Sequence, residues 1–192
     1  LGHFEIKGHN EREYFCTYKD INVFKPEKIY EYEANQFAAE LLMPERKIQE
    51  IMKRNPFNME TIELISNSFA TSITSAALRA VKLTPDSCAI VVSSDNRVLW
   101  SQKSRNFRYT LKTKGQTLSP NTCAADFFIG KDVPDQSEIV SPYGWISDPG
   151  LPNDFTLLEH SIYFPNLNMV LSLITLPEKD DYDLDIDEFD NE

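Results

Sequence analysis

An α+β chain is predicted by three observations. Apolar residues recur at helical spacing between Pro26 and Leu83. They give way to short β-type runs between Pro85 and Pro177. Proline and Asn-Pro breaks separate the blocks. The 192 residues are 41% hydrophobic, 11% aromatic and 26% charged. That composition excludes collagen-like, mucin-like and wholly disordered chains. No apolar stretch approaches the roughly 20 residues that span a bilayer. No basic segment leads into an apolar one as in a secretory signal, so a cytoplasmic protein without membrane partners is expected.

The first block, residues 1–55, contains one strong helix from about Pro26 to Met43. Ala34, Phe37, Ala38, Leu41 and Leu42 lie at its apolar spacing. Pro44 ends it and opens a second helix to Lys53, with proline in the first turn. Asn55-Pro56 breaks the chain. Residues 56–84 have helix-turn-helix length. Ile62, Ile65 and Phe69 mark one apolar face, Ile73, Ala76, Ala77 and Val81 another, and Thr71 or Ser72 can cap the second helix. Its second helix offers only Arg79 and Lys82 to phosphate, so a connector packed on the first block is preferred to a DNA reader.

Residues 85–177 read as β-rich and are expected to fold independently. Cys88–Ser93 and Arg97–Ser101 flank Ser-Asp-Asn, a hairpin signal. Phe107–Leu111 is a candidate strand and Asn121–Ile129 a candidate short helix. Leu157–Phe164 and Met169–Leu176 form a second hairpin around Pro-Asn-Leu-Asn. The stretch from Lys131 to Asp154 is loop-rich, with Trp145 as its large apolar anchor.

Charge is concentrated at one end. The formal net charge is −11, and residues 178–192 alone hold nine acids and one lysine. The rest of the chain is therefore close to neutral, which argues against tight DNA binding. The tail is expected to be disordered. Asp183, Asp185 and Asp187 echo an EF-hand loop but lack its glycine and its twelfth residue, so calcium is not expected. Cys16, Cys88 and Cys123 are odd in number and form no CxxC pair, so reduced thiols are expected.

The chemistry-bearing residues are near the start. Leu-Gly-His-Phe, ending at Phe4, resembles the second half of the zincin helix His-Glu-Leu-Gly-His-Phe. Further on, Glu31-Tyr-Glu-Ala-Asn-Gln-Phe-Ala-Ala-Glu-Leu-Leu-Met-Pro44 closely resembles the ExxANxFAxxLLMP helix of the ImmA/IrrE metallo-endopeptidases. The resemblance implies that the chain begins inside the HExxH motif of a zincin-like domain (residues 1–55). It also implies a helix-turn-helix-like segment and then a GAF-like domain over 85–177. It implies zinc held by His3, by an acidic residue at the start of the second signature helix, and by a first histidine preceding Leu1. The general-base Glu would also precede Leu1, leaving the chain inactive alone.

Glu31, Ala34, Ala38 and Leu41 share one helical face, so Glu31 is the preferred acidic ligand. Glu33, about 160° further round at 100° per residue, is the reserve. Family members cleave phage-type helix-turn-helix repressors in stress response or mobile-element control, which makes such a repressor the expected substrate. The alternative is a non-enzymatic regulator using the helix-turn-helix-like and GAF-like regions. His9 reads as a loop residue and His160 as a structural histidine in a strand.

Overall fold

In the computed structural model of the chain, residues 29–177 are described. Among the described residues four helices precede the strands: α1 (Ile29–Leu42), α2 (Glu45–Met52), α3 (Met59–Ser68) and α4 (Ile73–Leu83). Each boundary has a local cause. Pro44 disfavours helical backbone at Met43 and stands as the N-cap of α2. The first N–H of α2 is satisfied from outside, donating to Glu40 Oε1 at 3.1 Å. Asn58 caps α3 by accepting from Thr61 N at 2.9 Å, and Ser72 caps α4 by accepting from Ser75 N at 3.2 Å. Between α3 and α4 the chain reverses through Ala70 in the left-handed region (φ 50°).

The strands are β1 (Cys88–Ser94), β2 (Arg97–Lys103), β3 (Glu138–Val140), β4 (Leu157–Phe164) and β5 (Met169–Thr175), with a short helix, α5 (Cys123–Phe128), between β2 and β3. They form one antiparallel sheet in the order β2-β1-β5-β4-β3. The β1–β2 turn places Asp95 and Asn96 at φ 50° and 59°, the double left-handed conformation of a tight hairpin turn.

Alternation along the strands divides the core in two. Cys88, Ile90, Val92, Leu171 and Leu173 face the helices and pack with Ile48, Met59, Ile62, Ile65, Ala77 and Val81. Ala89, Val91, Val170 and Ile174 face the other way, against Phe107, Leu118, Ala124, Trp145 and Ile146. Burial on both faces explains why β1 and β5 are almost continuously apolar in sequence.

Several expectations change here. Residues 85–177 share a core with α2–α4, so one face of their sheet depends on the helical block and is not covered independently. The segment from Phe107 to Leu111 is not a strand. Phe107 is buried as an anchor under the sheet, and only Leu111 bridges, to Ile146. The loop-rich stretch 131–154 contains β3 and a 3-10 turn, Pro142–Gly144. The first helix is described from Ile29, and its expected start at Pro26 lies outside the described residues. Leu41 and Leu42, placed on the apolar face by spacing, are 55% and 57% exposed, whereas Ala34 and Met43 are buried. The acidic tail lies outside the described residues.

Candidate functional site

α1 carries the acidic ligand candidates. Glu31 occupies its first turn, one turn before Ala34, which is 7% exposed. The side chain of Glu31 lies outside the described set, as do His3, His9 and Cys16 entirely. Glu33 is exposed. Among the described residues, no three His, Cys, Asp or Glu side chains stand close enough to hold a metal ion.

The C-terminal end of α1 is fixed by α4. Arg79, 8% exposed, pairs through Nη2 with Glu40 and donates from Nε to Met43 O at 3.2 Å. Thr71 Oγ1 adds a 3.5 Å contact to Met43 Sδ. The bond from Glu45 N, ahead of the pairing with Arg79, holds the Glu40 carboxyl below the usual carboxylate range. Arg79, one of the two cations offered to phosphate by the second helix, is thus committed inside the protein. Ala76, Ala77, Ala80 and Val81 of that helix are buried against the core.

His160 is 4% exposed, with Nε2 3.4 Å from Asp135 Oδ1. Its position in β4 matches the structural reading.

A buried polar group escaped the sequence reading. Glu159, fully buried in β4, accepts from Trp145 Nε1 (2.8 Å), Ser161 Oγ (2.8 Å), Ala124 N (2.7 Å) and Cys123 N (3.1 Å). Burial pushes its carboxyl above the ordinary range, and these hydrogen bonds pull it part of the way back. The carboxylate gathers the start of α5, the Trp145 loop and the sheet at one point. Gly144 permits this approach, because a Cβ there would stand 2.8 Å from Thr122 Cγ2, the side chain that caps α5. The signal in the sequence was a lone acid inside the apolar run Leu157–Phe164, opposite an isolated tryptophan.

Comparison with protein families decides what the first helices resemble. Residues 1–80 match the family model of the IrrE N-terminal-like domain, a peptidase family. The match takes in α1, α2, α3 and most of α4. It therefore covers both the signature helix and the arginine that clamps it. Comparison with curated proteins gives no match. Among the described residues, no helix is long and apolar enough to cross a membrane.

Proposed function

We propose that the chain is part of a zinc-dependent endopeptidase of the ImmA/IrrE type, acting on a helix-turn-helix repressor. One observation carries this reading. The family match over residues 1–80 coincides with a signature helix that ends at Met43-Pro44, as the motif requires. His3 and Glu31, with Glu33 as the reserve, would hold zinc together with a histidine preceding Leu1. Bound zinc supplies an activated water near neutral pH, and the general-base Glu would also precede Leu1. DNA binding is expected to be weak, supported by the burial of Arg79.

The test joins the upstream coding sequence to the chain and measures zinc content and repressor cleavage. Glu31→Ala should lose zinc while its circular dichroism stays unchanged. Cleavage that persists in Glu31→Ala but disappears in Glu33→Ala moves the ligand by two positions. An upstream sequence without an in-frame His-Glu pair sinks the enzyme reading.

A second reading, a non-enzymatic regulator, is favoured by where the match stops. It ends at residue 80, and the five-stranded sheet follows, packed on the same helices. In that reading residues 85–177 act as a GAF-like sensor coupled to α4. A start codon close before Leu1, with no His-Glu pair, would select it.

A further inference from the structure

Between α1 and α4 lies a hollow of about 230 Å³. Its apolar wall is Ala38, Ala39, Leu42, Met43 and Leu78, and its polar wall is Asn35, Gln36, Ser75, Arg79 and Lys82. The polar wall is rich in hydrogen-bond donors. Lys82 and the side-chain amides of Asn35 and Gln36 have no hydrogen-bond or ion-pair partner among the described residues. Ser75 Oγ accepts from Ser72 Oγ at 2.8 Å and keeps its own proton to donate. Arg79 is committed through Nε and Nη2 only, which leaves Nη1. Glu40, the carboxylate that meets Arg79, is already shared with Glu45 N.

The two cations are three residues apart on one helix, a spacing at which like charges repel. Lys82 is exposed as a residue, but desolvation of its ammonium by the surrounding protein, and then the charge of Arg79, lower its pKa. A second anion placed between them would relieve both effects. The volume is below the roughly 300 Å³ at which drug-sized pockets begin. It suits a small acid or a single side chain and excludes a nucleotide.

We propose that this hollow is a binding site for a carboxylate on a short apolar body. Lys82, Arg79 and the Ser75 hydroxyl receive the carboxylate, and Ala38, Leu42 and Leu78 receive the body. The carboxylate can come from a free acid or from an acidic side chain in a peptide. The site shares helix α1 with the metallopeptidase reading but needs no metal.

Amide chemical shifts of the full chain, titrated with pentanoate, test it. Shifts should saturate with a dissociation constant on the order of 1 mM and concentrate in residues 35–43 and 71–82. Lys82→Met should weaken binding about tenfold, the loss expected for one charge-assisted hydrogen bond. Lys82 is exposed, so that variant keeps the fold. Lys114→Met, at an exposed lysine away from the hollow, should change nothing. A blocked Leu-Asp-Ile tripeptide that binds more tightly than pentanoate supports the site with a peptide as source. Weaker tripeptide binding supports it with a free acid. Shifts that do not saturate, equal binding of acetate or pentanol, or unchanged affinity in Lys82→Met would each overturn the proposal.

Discussion

Arg79 Nε donates to the carbonyl oxygen of Met43 at 3.2 Å, joining α4 to the end of α1 across 36 residues of sequence. The last carbonyls of a helix lack partners within it, and a cation beside them is favoured by the helix dipole. α4 therefore fixes the C-terminal end of the helix that carries Glu31 and Glu33. The segment expected as a connector is part of what positions the signature helix, consistent with a family match that runs to residue 80.

Arg79→Met should destabilise the chain by about 2 kcal/mol, the loss of a buried charge-assisted hydrogen bond. Arg79→Lys should recover only part of this, because an ammonium cannot reproduce the planar fork that reaches both Met43 O and Glu40. Urea unfolding midpoints measure both. An unchanged midpoint in Arg79→Met would show that the clamp contributes nothing to the fold.

Glu159 predicts a pH dependence with a definite sign. Burial raises its folded pKa above the ordinary 4.5, so the folded chain holds that proton more tightly than the unfolded chain. Its contribution is fully present below the unfolded pKa and is lost as pH rises through the raised folded value. Glu159→Gln removes that term. Relative to the variant, the wild-type chain should lose thermal stability from pH 4.5 upward. Parallel melting curves across that range would contradict the burial argument.

The helices and both hairpins were legible because their signals are local. Pro44, Asn58, Ser72 and the Asp95-Asn96 turn each specify a boundary within a few residues. Leu41 and Leu42 were misplaced because periodicity shows that a helix has an apolar stripe without showing what covers it. Phe107–Leu111 has strand composition, but Phe107 is drawn under the sheet against Ala89 and Val91, and only Leu111 bridges, to Ile146. Glu159 was missed because its partners, Trp145 and the start of α5, come from segments whose meeting only the sheet order creates. At the candidate site, the helix bearing Glu31 was readable from its motif. The arginine that secures it was read as a weak phosphate ligand, because its partner Glu40 lies 39 residues away.

The thiols give a simpler test. Burial pushes both Cys88 and Cys123 up to about 12. At neutral pH almost no thiolate forms at either, and thiolate is the reactive species. Both should resist maleimide labelling in the folded chain and react fully in denaturant, as read by peptide mass spectrometry. Rapid labelling of Cys123 in the folded state would show that α5 opens easily.

Separating the sheet from the helices should unfold it. Ile90, Val92, Leu171 and Leu173 are almost fully buried on the helix-facing side. Each such side chain contributes about 1.5–3 kcal/mol when removed from water. The four together are comparable to the roughly 5–15 kcal/mol that holds a whole domain folded. The opposite core around Trp145 and Phe107 would remain, but it uses the other face of the same strands and cannot cover this one. A polypeptide of residues 85–177 should therefore bind a hydrophobic dye and lack a cooperative melting transition. The full chain should show the reverse in both measurements. A sharp transition in residues 85–177 at the midpoint of the full chain would mean that the helices rest on the sheet without supporting it.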